Sequence, residues 1–313
     1  MGYRPLSSID WTTTKAYSTR ATSAPSAKAF FKTTNLHDDL NPALFQMRES
    51  RDSPANPAST PIMIYSDVTG SMGDTAHYMA KKGFTTIVEQ ILERKPVTDP
   101  HILLGAVGDA VCDHAPLQAT QFETSTALLE QLDKIWVEAN GGGNSFESYN
   151  APWHFAAFHT SCDAFEKRGE KGFIFTVGDE CAPPDLGAKE LTNIYHRGDE
   201  TVATNRQLLD LLATKYHVFH ICLTTVGLCG HGGDLAEKVK KSWTELLGQN
   251  VLFLEDPNKT AELIISTMQI VKGDDAATVA KSWGGGTDVV ISNATKGLAV
   301  AKKSGGAGGL VRF

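Results

Sequence analysis

Three side chains that carry oxygen atoms lie at alternate positions just after the apolar run at 61–65. They are Asp67, Thr69 and Ser71. A carboxylate and two hydroxyls on one turn can converge on a single hard cation, and small oxygen ligands of this kind suit Mg²⁺ or Mn²⁺. The pattern alone is weak, because Asp67 or Ser71 could equally cap the helix predicted to follow.

Two further segments could complete such a site. A glycine-rich loop at 141–145 ends in Asn144 and Ser145, and the apolar strand predicted at 172–177 is followed by Asp179. In parallel α/β sheets, ligands bind beyond the carboxyl ends of the strands, where the loops after several strands meet. The predicted metal ligands are therefore Asp67, Thr69, Ser71, Asp179 and, from the second loop, Ser145 or Asn144.

Three more polar side chains lie close in sequence to these loops and are candidates for additional ligands or for the rim of the site. Glu147 and Glu180 would add negative charge near the metal, although simple solvation accounts for both equally well. His231 follows the strand predicted at 217–223, and a turn sequence explains Cys229-Gly230-His231 better than a role at the rim does.

The elements that must position these residues alternate between strands and helices. Apolar runs predict strands at 61–66, 101–107, 172–177, 217–223 and 251–254, and a short antiparallel strand at 115–122. Apolar residues at helical spacing predict helices at 73–94, 128–135, 149–167, 204–215, 234–247 and 257–271. This alternation predicts an α/β fold with a doubly wound, mostly parallel six-stranded sheet, one antiparallel edge strand and helices on both faces.

The composition divides the chain into three parts. Residues 1–58 are rich in Ser, Thr, Ala and Pro and predict an extended N-terminal arm. Residues 59–272 carry the alternating pattern of the α/β domain. Residues 273–313 contain two glycine-rich runs and predict a flexible C-terminal tail.

The bulk composition bears on location and partners. The 313 residues have a formal net charge of -7, and no run of Lys and Arg exceeds two, so a nucleic-acid surface is not indicated. The five cysteines form no CxxC pair, which favours reduced thiols in the cytoplasm. No secretory leader is visible, and no apolar stretch approaches the roughly 20 residues of a membrane span. We expect a soluble cytoplasmic protein that binds neither nucleic acid nor membrane.

The pattern Asp-x-Thr-x-Ser at 67–71, the glycine-rich loop with a hydroxyl and the later Asp179 resemble the von Willebrand factor type A (VWA) family. The resemblance covers roughly residues 60–272, and the segment 146–149 is similar to prokaryotic and phage-type members. It implies a Rossmann-like fold and a metal-ion-dependent adhesion site that draws ligands from three loops. The second loop departs from the family, because Asn144-Ser145 stands where a threonine is usual.

In that family, a carboxylate from a partner protein completes the coordination of the metal. The resemblance therefore implies a metal-dependent protein-interaction module within a larger intracellular assembly, with a MoxR-type AAA ATPase as one candidate partner. Enzyme motifs are weak: Thr69 stands where an aspartyl-phosphate phosphatase needs a second carboxylate, and no P-loop occurs. Two alternatives remain open, a hydrolase with Glu147 or Glu180 as base and a structural component whose arms hold a multimer together.

Overall fold

The structure is a computed structural model that describes residues 33–72, 84–125, 127–138 and 144–298. It also describes six residues near the N-terminus, namely Thr13, Ala16, Tyr17, Thr19, Arg20 and Ser23. The strands in this part of the chain are β1 (Arg48–Ser50), β2 (Thr60–Asp67), β3 (Pro100–Val107), β4 (Leu117–Ala119), β5 (Thr160–Cys162), β6 (Gly172–Gly178), β7 (Tyr216–Leu223) and β8 (Val251–Leu254).

Six of these strands form one mixed sheet in the order β4-β3-β2-β6-β7-β8. The pairing of β3 with β4 is antiparallel, and the other pairs of this sheet are parallel. The prediction of an α/β fold with a six-stranded, mostly parallel sheet and one antiparallel edge strand is therefore confirmed. The strands β2, β3 and β6 are buried along their whole length, as is typical of parallel strands in α/β sheets.

The helices are short, and most lie where helical spacing predicts them. They are α1 (Phe84–Arg94), α2 (Ala127–Leu132), α3 (Ala151–Phe158), α4 (Asp163–Arg168), α5 (Ala188–Tyr195), α6 (Asn205–Leu212), α7 (Gly227–Gly230), α8 (Gly233–Leu247), α9 (Thr260–Lys272), α10 (Ala276–Lys281) and α11 (Thr287–Ala294). Residues 73–83 of the helix predicted at 73–94 lie outside the described residues. None of the helices described here has the length and apolar character required to cross a bilayer.

Alternate residues of each central strand belong to two different apolar clusters. In β2, Ile62 and Ile64 pack in one cluster with residues of α1 and α9. Met63 and Tyr65 pack in the other with residues of α3, α6 and α8. This alternation follows from the two-residue period of a strand, and burial of each large side chain contributes about 1.5–3 kcal/mol. The two clusters hold β2 in place, so the position of its last residue, Asp67, is fixed by packing.

The helix predicted at 149–167 is interrupted. Strand β5 separates α3 from α4 and pairs in parallel with β1. The hydroxyl of Thr160, the first residue of β5, donates a hydrogen bond to the Ala156 carbonyl at 2.7 Å and is 2.9 Å from the Tyr216 hydroxyl. The tertiary pairing with β1 therefore overrides the local helical spacing. It also places residues 48–50, part of the predicted arm, against the domain.

Two helices occupy the first part of the predicted tail. Val279 of α10 and Ile291 of α11 are buried in the cluster that includes α9. The Trp283 indole donates a hydrogen bond to the Ser266 hydroxyl at 2.7 Å, and the Arg94 guanidinium lies 3.4 Å from the centre of the indole ring. The glycine run at 284–286, which predicted flexibility, forms the turn between α10 and α11 with positive φ angles. Residues 299–313 lie outside the described residues.

Candidate metal centre

The first group of predicted ligands forms a tight turn at the end of β2. An oxygen of the Asp67 carboxylate accepts hydrogen bonds from the Thr69 backbone N–H at 2.8 Å and the Thr69 hydroxyl at 2.6 Å. The Thr69 hydroxyl is 3.2 Å from the Ser71 hydroxyl. An aspartate that bonds to the backbone two residues later stabilises a turn, which explains why the chain leaves the strand here. The sequence pattern thus brings all three oxygens together.

Asp179 joins this group from the neighbouring strand. It follows β6, which pairs with β2 in the sheet, and its Oδ1 accepts a hydrogen bond from the Ser71 hydroxyl at 3.2 Å. Its other oxygen accepts from the Leu228 backbone N–H at 2.8 Å, and its carbonyl accepts from the Cys229 N–H at 3.1 Å. Four of the five predicted ligands therefore lie in one connected cluster, and α7 holds the far side of the Asp179 carboxylate.

The second-loop candidates make different contacts. The Asn144 amide donates to Oδ2 of Asp109 at 2.6 Å, and the carbonyl of Ser145 accepts from the Cys181 N–H at 3.0 Å. Within the described part of the chain, neither side chain is hydrogen-bonded to Asp67, Thr69, Ser71 or Asp179. Residues 141–143 of the same loop lie outside the described residues.

The same loop instead places Glu147 and Tyr149 at the cluster. The Tyr149 hydroxyl donates to Oδ2 of Asp67 at 2.6 Å, so both Asp67 oxygens have donors. Glu147 is 2% exposed, and Glu180, the residue after Asp179, is 7% exposed. One oxygen of each glutamate, Oε2, has no hydrogen-bond partner among the described residues. Buried carboxylate oxygens without partners are rare in proteins and point to a missing ligand.

The sequence indicates Glu147 and Glu180 only as possible ligands or rim residues, and it does not indicate Tyr149. A tyrosine before a predicted helix carries no pattern that would distinguish it from a core residue. His231, the remaining possible rim residue, is exposed, and its Nδ1 is 2.6 Å from the Gly227 carbonyl. That contact is typical of a turn, which matches the alternative interpretation given above.

Burial and mutual repulsion dominate the electrostatics of the site. Burial raises the pKa of Asp67 to about 7, the charge of Asp179 adds to the effect, and the hydrogen bonds from Thr69 and Tyr149 oppose it. Burial raises the pKa of Glu147 to about 10, with Asp67 the largest contributor among its acidic neighbours. The pKa of Glu180 is raised to about 8 by burial and then by Asp179 and Asp67. Near neutral pH, Glu147 and Glu180 therefore hold protons unless another positive charge is bound, whereas Asp67, with its pKa of about 7, is about half ionised.

A hard divalent cation fits this set of donors. The cluster offers carboxylate and hydroxyl oxygens, the ligands that Mg²⁺ and Mn²⁺ prefer, and a cation would supply positive charge beside its buried carboxyl groups. Asp67, Thr69, Ser71 and Asp179 would hold the cation, with Glu147 or Glu180 close enough to contribute charge.

Two glycines permit this arrangement. A Cβ atom at Gly178 would lie 2.0 Å from the Tyr149 hydroxyl, and one at Gly227 would lie 1.9 Å from Oδ2 of Asp179. Gly227 also has a φ of 43°, in the left-handed region that other residues rarely adopt. The backbone must approach both side chains closely, so neither position accepts a larger residue without moving a member of the cluster.

Comparisons with known proteins add little to this description. No family model and no curated protein matches the chain. Two crystal structures of the pilus adhesin SpaC from Lactobacillus rhamnosus GG, one in an open conformation, are similar at TM-scores of 0.44 and 0.41 and identities of 10% and 9%. Each match covers 71% of this chain but only 32% and 31% of the SpaC chain. A similarity at this level carries no argument about function.

Proposed function

We propose that the chain is a metal-dependent protein-interaction module of the VWA type, built on a doubly wound sheet with helices on both faces. In this proposal, Mg²⁺ or Mn²⁺ is bound by Asp67, Thr69, Ser71 and Asp179, with a second-loop residue completing the site. The observation that carries the proposal is the buried carboxylate cluster at the ends of β2 and β6, two of whose oxygens lack partners.

The energetic argument concerns uncompensated charge. Burying a carboxylate without a partner costs several kcal/mol, so buried carboxylates are paired, protonated or bound to metal. Within the described part of the chain, no Lys or Arg forms an ion pair with Asp67, Glu147, Asp179 or Glu180. A divalent cation would supply the missing positive charge and release the protons that the cluster otherwise retains.

The cation would act as a Lewis acid with a coordination position open to an incoming oxygen ligand. The partner in this proposal is a protein that presents Asp or Glu to the metal, since a carboxylate is attracted to a cation with an open position. The proposed setting is a cytoplasmic assembly, with a MoxR-type AAA ATPase as one candidate.

Asp67→Ala tests the proposal. We expect wild type to bind one Mg²⁺ or Mn²⁺ at the site by calorimetric titration, and the variant to lose this binding while keeping its circular dichroism spectrum. Asp199→Ala, which removes an aspartate with an 86% exposed side chain, is the matched control and should behave as wild type. Pull-downs with and without chelator then test partner capture. Binding of the partner that is equal in chelator, or a wild type that binds no cation, would refute the proposal.

A metal-dependent hydrolase is the second candidate, because Glu147 presents a buried carboxyl oxygen without a partner beside Asp67. A carboxylate in that position could accept a proton from metal-bound water. A phosphatase and nuclease screen with Mg²⁺ and Mn²⁺ separates the two functions. Activity that is present in wild type and absent in Asp67→Ala would favour the hydrolase, and inactivity of both would favour the interaction module.

A further inference from the structure

A second group of metal-binding side chains lies outside the cluster around Asp67. His154 lies in α3, His159 directly follows α3, and Glu200 lies between α5 and α6. Each residue offers one ligand atom, and these three atoms all lie within 4.8 Å of one another. His154 is fully buried, and the side chains of His159 and Glu200 are 9% and 8% exposed. Three segments of the chain therefore bring two imidazoles and a carboxylate together in a protected place.

His159 already has the contacts of a metal-bound histidine. Its Nε2 is 2.9 Å from Oε2 of Glu200, and its Nδ1 is 3.0 Å from the Gln46 carbonyl. Histidines that bind metals usually donate the N–H of the other ring nitrogen to a carbonyl or carboxylate, which fixes the ring and its tautomer. The Gln46 carbonyl has that role here, and Nε2 faces the carboxylate.

His154 and Glu200 also form hydrogen bonds with groups outside these three residues. The two nitrogens of His154 are each 3.0 Å from an oxygen, Nδ1 from the Tyr195 hydroxyl and Nε2 from the Thr201 carbonyl. The Arg197 guanidinium donates to the second oxygen of Glu200, Oε1, at 2.6 Å. A metal would replace one of the two His154 contacts and would take the place of the hydrogen bond between Nε2 of His159 and Oε2 of Glu200.

We propose that His154, His159 and Glu200 bind one Zn²⁺ ion or a similar borderline transition metal. Two imidazoles and one carboxylate form a frequent zinc ligand set, with a fourth position for water. Ligands about 2.0–2.1 Å from a tetrahedral zinc ion lie about 3.3 Å apart, so binding would move Nε2 of His159 and Oε2 of Glu200, now 2.9 Å apart, slightly away from each other to admit the ion. This site is independent of the proposed magnesium site.

The position of the group would let a bound metal connect separate segments of the chain. The Gln46 carbonyl contacts His159, and the Arg48 N–H donates to the His159 carbonyl at 2.9 Å. Zinc bound here would connect residues 46–48, which lead into β1, with the end of α3 and with the segment after α5. Without metal, His159 is held by its contacts with the Gln46 carbonyl and with Oε2 of Glu200.

Titration of the full-length chain with Zn²⁺ and Co²⁺, in excess Mg²⁺ and after treatment with chelator, tests the proposal. We expect one ion per chain and a Co²⁺ spectrum of tetrahedral type without thiolate charge-transfer bands. His159→Gln and Glu200→Gln should each lose this binding. His217→Gln, a histidine change outside the group, and Asp67→Ala should both retain it.

Thermal unfolding provides a second measurement in case His159→Gln does not fold. Zn²⁺ should raise the Tm of wild type and leave that of Glu200→Gln unchanged, because a ligand that binds the folded state stabilises it. No binding by wild type, undiminished binding by Glu200→Gln, or thiolate bands in the Co²⁺ spectrum would overturn the proposal. The first of these outcomes would show that the group is a hydrogen-bonded cluster.

Discussion

The change Glu147→Gln gives the sharpest test of the buried acidic cluster. Its Oε2 has no partner among the described residues, so glutamine removes a titratable group with little loss of hydrogen bonding. Burial, and then the charge of Asp67, raises the Glu147 pKa from its ordinary 4.5 to about 10. Between these two values the folded state holds a proton that the unfolded state releases. The stability of the metal-free protein therefore falls as pH rises through this window.

The size of the effect follows from the linkage. One proton of difference changes the free energy of unfolding by about 1.4 kcal/mol per pH unit. From about pH 6 to pH 8, wild type should lose about 3 kcal/mol relative to Glu147→Gln, because glutamine does not titrate in either state. In chelator at pH 8, the variant should therefore be the more stable protein. With Mg²⁺ present, the difference in stability between the two proteins should become smaller or change sign, since the cation stabilises the ionised cluster of wild type.

Urea unfolding at several pH values, in chelator and in Mg²⁺, measures both effects. Glu237→Gln makes the same chemical change on the exposed face of α8 and serves as the control. Equal pH dependence in wild type and Glu147→Gln would refute the reasoning. A variant that is less stable than wild type in chelator at pH 8 would also refute it. That result would mean that the contacts of Glu147 stabilise the fold more than its buried charge destabilises it.

Two further predictions concern the supports of the cluster and of the arm. Gly178→Ala should weaken Mg²⁺ binding about tenfold or more in calorimetric titration, because its Cβ would displace the Tyr149 hydroxyl from Asp67; unchanged affinity would contradict this role. For Asp163, burial raises the pKa, but Lys167, the Asp52 N–H and Arg51 outweigh it and lower the value to about 2. Asp163→Asn should cost about 2 kcal/mol near neutral pH. Urea unfolding should show that difference shrinking as pH falls from about 4 to about 2, and a constant difference would contradict the ion-pair argument.

The sheet could be predicted from the sequence because its strands are apolar and bounded by turns. Strand β8 begins and ends as predicted, β3, β6 and β7 differ from prediction by one residue at one end, and β2 is one residue longer at each end. Local spacing could not predict the break at β5, since that strand exists only through its pairing with β1, more than a hundred residues away. It also could not show that the glycines at 284–286 connect two packed helices, because glycine suits a tight turn as well as a flexible linker.

The sequence predicts the part of the candidate site that lies within one short motif. It does not predict the part that depends on how a loop distant in sequence is positioned. Asp67, Thr69 and Ser71 are close in sequence, so their proximity follows from one turn. Asp179 could be added because parallel neighbouring strands end at the same edge. The second loop offered several oxygens within a few residues, and only its bridge to Cys181 determines which of them face the cluster.

The charge of that second loop has a consequence for the proposed partner. A hydroxyl ligand from this loop would leave part of the cation's positive charge uncompensated, so the cation would attract a carboxylate. An ionised Glu147 beside Asp67 and Asp179 would compensate that charge and offset most of the attraction. With the cation bound, Glu147 can favour partner binding only if it retains its proton, and it can act as a base only if it has lost that proton. The protonation state of Glu147 therefore distinguishes the interaction module from the hydrolase, and it depends on burial and on the neighbouring acids, not on the motif.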